Sequence, residues 1–215
     1  MKIALISLCA LLSAGVSAQE RFPVGDRGNS ASVPEDTSAR GVARQVMERF
    51  AVCTYRSQRR IVERILLAPV SGDPRNLMVG LAKSECLQSG ELGFDPVTFR
   101  GSLFAAMHRS HFNRLVPNLA SAPIVDYGGG ADPTYAVAMK FADCVVRADA
   151  PHSTDLVRAF PSSAAEAEAL RTLMPALSNC VSAGNSSKFH KTTLRGFIAE
   201  SLFKLSSASQ TGARN

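Results

Sequence analysis

Phe141-Ala142-Asp143-Cys144, with Cys180 downstream and Leu194-Arg195-Gly196 beyond it, is the stretch whose reading decides the fold. An earlier counterpart runs Phe50-Ala51-Val52-Cys53, then Cys86, then Phe99-Arg100-Gly101. The matches keep their order. Phe50, Ala51, Cys53 and Arg56 precede Phe141, Ala142, Cys144 and Arg147 by 91 residues. Pro69 precedes Pro161 by 92, Ala82, Ser84 and Cys86 precede Ala176, Ser178 and Cys180 by 94, and Phe94, Thr98, Arg100 and Gly101 precede Phe189, Thr193, Arg195 and Gly196 by 95. Each change of offset can sit in a loop. The chain therefore reads as one helical unit written twice.

Periodicity gives about four helices per copy. Val42, Val46, Met47, Phe50 and Cys53 mark one face of a first helix from Ala39, with Arg40, Arg44, Glu48 and Arg49 opposite. A second helix covers Arg59 to Ala68, with Ile61, Ile65 and Leu66 inward, and Pro69 ends it. Asp73-Pro74, Asp95-Pro96 and Asp132-Pro133 each pair a capping acid with a proline suited to the first helical position. The first of them opens a helix with Met78, Leu81, Ala82 and Cys86 on its apolar side. The second opens a helix striped by Phe99, Leu103, Met107 and His111. In the second copy, Tyr135, Met139, Phe141, Ala142 and Val145 line the first helix, and Thr154 to Phe160 forms a short second one. Ser162-Ser163 caps a third, whose stripe is Leu170, Leu173, Met174, Leu177, Cys180 and Val181, with Pro175 inside it. Leu194, Phe197, Ile198, Leu202 and Leu205 mark the fourth. The expected fold is all-α: repeat 1 over 39–112, a linker over 113–132, repeat 2 over 133–206 and a disordered tail over 207–215.

The first eighteen residues read as a secretory signal: Lys2, an apolar run from Ile3 to Leu12, and small residues before a cleavage point near Ala18. Residues 19–38 are polar and rich in Gly, Pro and Ser, and read as a flexible lead-in. Removing the signal leaves Cys53, Cys86, Cys144 and Cys180. An even number of cysteines in an exported chain suggests disulfides, and four allow three pairings. The duplication favours Cys53–Cys86 and Cys144–Cys180, so that each copy closes its own loop. A four-cysteine zinc site lacks its usual close pairs. The remaining chain has 23 basic against 18 acidic side chains, a formal +5. No later run is apolar enough to cross a bilayer.

The second half resembles a family of small exported alphaproteobacterial helical proteins with a C…LxxL…LxxC…LRG…E pattern. Cys144, Leu170, Leu173, Leu177, Cys180, Leu194, Arg195, Gly196 and Glu200 carry the resemblance. The family has no assigned activity, so the resemblance implies export to the periplasm and little more.

Three groups of residues could carry chemistry. His108 and His111, three apart on a helix, could share a metal ion. Arg100-Gly101 and Arg195-Gly196 place glycine inside a helix twice, at about 0.5–1 kcal/mol each. Either another helix packs against the missing side chain, or a ligand approaches there and the arginine holds its carboxylate or phosphate. The arginine could instead cap a neighbouring helix or pair with an acid. Arg56 and Arg147, also repeated, join Arg100 and Arg195 as candidate anion-binding residues. Finally, Arg40, Arg44, Arg49, Arg56, Arg59, Arg60 and Arg64 face only Glu48 and Glu63. That run suits an anionic surface, but its little aromatic interleaving gives poor support for base stacking, so nucleic acid is not the expected partner. The glycines at 128–130 lack the lysine of a P-loop, and no G-x-S-x-G elbow occurs.

The sequence thus points to an exported, non-enzymatic helical protein without a cofactor. It would bind a partner protein or an anionic envelope component, with the groove between repeats as the leading surface. The rival reading is a periplasmic enzyme or metal-binding protein using His108 and His111.

Overall fold

Helices begin where the caps are. In the computed structural model, Ser38 accepts a hydrogen bond from the Gly41 N–H and opens α1 (Ala39–Ser57). Asp95 accepts from the Thr98 N–H, with Pro96 in the first turn, and opens α4 (Pro96–His111). Ser163 accepts from the Glu166 N–H and opens α7 (Ala164–Cys180). Between and after these lie α2 (Arg59–Leu67), α3 (Pro74–Leu81), α5 (Pro133–Ala148), α6 (Ala150–Arg158) and α8 (Lys191–Gly212). The structure describes residues 38–68, 74–82, 84–87, 93, 95–127, 133–181 and 190–212, and all its regular structure is helical. The signal, the flexible lead-in and the capping acids Asp73 and Asp132 lie outside the described residues.

Both expected disulfides form. Cys53–Cys86 ties α1 to a 3-10 turn over Ser84–Cys86, with Cα atoms 5.6 Å apart, and Cys144–Cys180 ties α5 to α7 at 5.8 Å. They close loops of 33 and 36 residues.

Helices α4 and α8 form the centre, and they pack on each other more extensively than any other pair. Phe99 and every residue from Gly101 to His108 are buried, so α4 is enclosed around nearly its whole circumference. Gly101 and Gly196 meet at the crossing. A β-carbon at Gly196 would lie 3.0 Å from the Gly101 Cα, and one at Gly101 would overlap the Gly196 Cα. This contact explains glycine inside both helices: it lets two backbones approach where any side chain would hold them apart. Helix α1 packs on α4 and α5 packs on α8, while α6 fills the angle between α7 and α8. One cluster of buried apolar side chains, including Phe50, Phe99, Leu103, Val145, Leu173 and Leu202, runs through both halves.

Several local expectations need correction. Ile61 is 49% exposed, because the inward stripe of α2 is Val62 and Leu66, with Ile65 half-buried. Helix α3 does not reach Cys86. The Gln58 side-chain amide donates to the Leu81 carbonyl, taking an acceptor that a continuing helix would use, and the disulfide draws Cys86 to α1. Helix α6 spans Ala150–Arg158 rather than 154–160, because Asp149 caps it through the His152 N–H and Pro151 occupies its first turn. Helix α8 continues through Ser206, which is fully buried, to Gly212. Its later hydroxyls bond back along the helix, Ser207 to the Phe203 carbonyl and Thr211 to the Ser207 carbonyl, so polar composition there does not stop the helix.

The crossing predicts unequal responses to one small substitution. Gly101→Ala should destabilise the protein by about 2–4 kcal/mol, the range of severe overpacking, because backbone and not a flexible side chain must yield. Gly80→Ala, in a helix with open space around the added carbon, should stabilise by about 0.5–1 kcal/mol. Urea unfolding of both variants checks this. Equal midpoints would refute the close contact.

Candidate functional site

Three buried carboxylates organise the polar interior. Glu200 on α8 is 2% exposed and receives both Arg100 Nε, at 2.9 Å, and an Arg100 terminal nitrogen, at 2.6 Å. Tyr135 donates to the same carboxylate at 2.6 Å, and Lys204 lies 2.9 Å away. Burial alone would raise the Glu200 pKa, but the Arg100 charge and hydrogen bonds, with Lys204 and Tyr135, hold it below the usual value. The Arg100 guanidinium also lies 5.0 Å above the Phe104 ring.

Glu48 on α1 is equally buried and joins two arginines from other helices. Arg109 pairs with its Oε1, and Arg195 donates to its Oε2 at 3.1 Å. Both arginines also donate to the Val157 carbonyl at the end of α6, and Arg195 reaches the Ala159 carbonyl at 3.1 Å. Arg100 stands 3.5 Å from the Leu66 carbonyl at the end of α2. Each arginine of the repeated Arg-Gly pair thus contacts the C-terminal carbonyls of a short helix and pairs with an acid. Glu166, fully buried at the start of α7, accepts from Arg44 at 2.5 Å and from the Ser162 N–H at 2.8 Å.

The four candidate arginines do not converge. Arg100 and Arg195 are held by different acids. Arg147 donates to Asp143 at 2.6 Å and to the Ala122 and Pro123 carbonyls at 2.7 and 3.1 Å, fastening the inter-helix segment onto α5. Arg56 is exposed in the last turn of α1 and makes no ion pair among the described residues. What sequence reasoning missed is the acids. Glu48 sits among arginines on what periodicity makes a polar face, and its spacing from Arg44 reads as an ordinary surface pair. Its burial comes from α4 and α8, which no local pattern announces.

His108 and His111 occupy different environments. His108 is 1% exposed, 5.2 Å from the Phe112 ring, and its Nδ1 has no hydrogen-bond partner. Burial first, then the charges of Arg158 and Arg109, lower its pKa to about 3. His111 stands further out. Its Nε2 lies 2.8 Å from Glu63, 3.1 Å from the Tyr55 hydroxyl and 3.1 Å from the Arg59 guanidinium. A cation at that nitrogen would face the Arg59 charge directly. Burial would raise the Glu63 pKa, but hydrogen bonds from Arg59, Tyr55 and His111 lower it to about 2. Burial and the Glu63 hydrogen bond push Tyr55 up to about 12. Among the described residues, no group of three or more His, Cys, Asp or Glu is placed to hold a metal ion.

One cleft opens at this level. Arg44, Met47 and Ser102 from the first half line it with Pro161, Thr192, Arg195 and Gly196 from the second. It lies beside the Gly101–Gly196 crossing, and its free volume of about 10 Å³ is close to that of one water molecule. No protein-family model, curated protein or solved structure matches the chain.

Two outcomes follow from the buried charges. Below pH 6.5 the unfolded chain protonates His108 and the folded protein does not, so stability falls with pH in that window and the effect vanishes above it. At pH 5 this amounts to about 2 kcal/mol, at 1.36 kcal/mol per pKa unit. His108→Phe should remove that part of the loss between pH 7.5 and pH 5, as read by urea unfolding at both values; an unchanged slope would show that His108 titrates normally. Glu48→Gln should cost about 3–5 kcal/mol at pH 7.5, because it leaves two arginines without their shared anion. A loss under 1 kcal/mol would mean water screens the pair.

Proposed function

We propose that this is an exported, non-enzymatic binding protein built from two pseudo-repeated helical units, which holds a polyanionic envelope component on the arginine face of α1 and α2. Export is supported by the two disulfides. The duplication is supported by the matching disulfides, the paired Arg-Gly positions and the meeting of Gly101 with Gly196.

The observation that carries the binding role is where the charge lies. Residues 38–68 contain seven arginines and two acids, a formal +5 out of +6 for the whole chain. Both acids are already engaged, Glu48 by Arg109 and Arg195, and Glu63 by Arg59, Tyr55 and His111. Arg40, Arg49, Arg56, Arg60 and Arg64 are exposed. Arg49 and Arg56 are seven residues apart and share a face of α1, and Arg60 and Arg64, four apart, share a face of α2. Folding concentrates the charge further, since it buries Glu48, leaves Glu63 only partly exposed and keeps every arginine of the run except Arg44 exposed. Such a face attracts phosphate- or carboxylate-rich polymers over about a Debye length, roughly 8–10 Å near physiological salt.

Heparin serves as the model polyanion. The protein should be retained at low salt and elute at a salt concentration that falls when Arg56, Arg60 and Arg64 are replaced together by Gln. Retention that ignores salt, or that survives the triple replacement, sinks this reading.

A further inference from the structure

The outward side of α2 mixes arginine with bare aliphatic surface. Val62 and Leu66 are buried in the core, while Ile61 and Leu67 face solvent. Arg64 stands four residues after Arg60, three after Ile61 and three before Leu67, so these four side chains share one exposed surface of the helix. Helix α3 extends that surface. Both α2 and α3 pack on α4, and the Gln58 side chain at the start of α2 holds the Leu81 carbonyl at the end of α3. Met78 and Leu81 are buried, and Leu77 and Val79 are left outside. Ile61, Leu67, Leu77 and Val79 are each between 41% and 58% exposed.

The fold does not demand these aliphatics. Helix α6, the second helix of the other half, exposes Pro151, Asp155 and Arg158 and buries Leu156 and Val157. Aliphatic side chains held in water forgo the free energy of burial, and a group of them on neighbouring helices marks a surface that something covers. Charge indicates what covers it. Helix α2 has three arginines and one acid, Glu63, which Arg59 and His111 already engage, and α3 has no acid. An anionic bilayer offers phosphates at its surface and acyl chains just beneath. Arginine suits that boundary, because its stem lies along apolar surface while its guanidinium holds phosphate. A polyanion in solution would engage the arginines and leave the aliphatics wet.

We propose that the outward side of α2 and α3 docks on an anionic phospholipid bilayer, with Arg60 and Arg64 at the phosphates and Ile61 and Leu67 among the outer acyl segments. This rests on the reading of the arginine face as a polyanion-binding surface, and it names the polyanion.

Cosedimentation of the disulfide-bonded protein with phosphatidylcholine vesicles, with and without phosphatidylglycerol, tests this beside heparin retention. The protein should bind the vesicles that contain phosphatidylglycerol and not those of phosphatidylcholine alone. Ile61→Ser together with Leu67→Ser should weaken vesicle binding about tenfold and leave heparin elution unchanged. Arg60→Gln together with Arg64→Gln should weaken both. The chain has no tryptophan, so Leu67→Trp supplies a single reporter. Its emission should shift to the blue on phosphatidylglycerol vesicles and stay in place on heparin. Vesicle binding that the double serine variant keeps in full, or a reporter whose emission does not move on bound vesicles, would overturn the docking. Heparin retention without vesicle binding would also overturn it and leave the arginine-face reading standing, whereas loss of both would end the two together.

Discussion

Two backbones touch at Gly101 and Gly196, and the arrangement of the molecule follows from that approach. Packing of α4 directly on α8 encloses α4 and brings residues nearly a hundred positions apart into one interior. Arg100 precedes one glycine and Arg195 the other, so the crossing also fixes where two guanidinium groups enter the protein. A bulkier residue at the crossing would separate the helices and leave both groups without their acids.

Those acids explain why so arginine-rich a chain can form a packed core. A buried guanidinium is tolerated when a carboxylate and further acceptors surround it, and Glu48, Glu166 and Glu200 provide this together with the carbonyls at the ends of α2 and α6. Taking the acids inside has a consequence outside. The exposed surface of α1 and α2 is more basic than the sequence composition suggests.

Much of the architecture was legible in the residues. Helix starts at Asp95-Pro96 and Ser163 were readable because caps are local chemistry, and the disulfide pairing followed from the spacing of matched cysteines. The helix over 150–158 starts ahead of its apolar spacing, because Asp149 and Pro151 set its first turn. The end of α3 depended on Gln58, which reaches the Leu81 carbonyl from another helix. Neither the burial of Glu48 nor the separate fates of His108 and His111 could be read from one helix, since both depend on what α4, α6 and α8 place alongside.

By itself, the sequence determined the helical class, the cysteine pairs and the presence of glycine at two matched helix positions, because each rests on short-range geometry or on spacing along one chain. Tertiary structure alone decided what the glycines are for and which arginines remain available. The backbone approach at Gly101 and Gly196 and the desolvation of three carboxylates arise between helices far apart in sequence. Charge pairing inside a protein depends on which groups lose water together, and that is a property of packing and not of neighbouring residues.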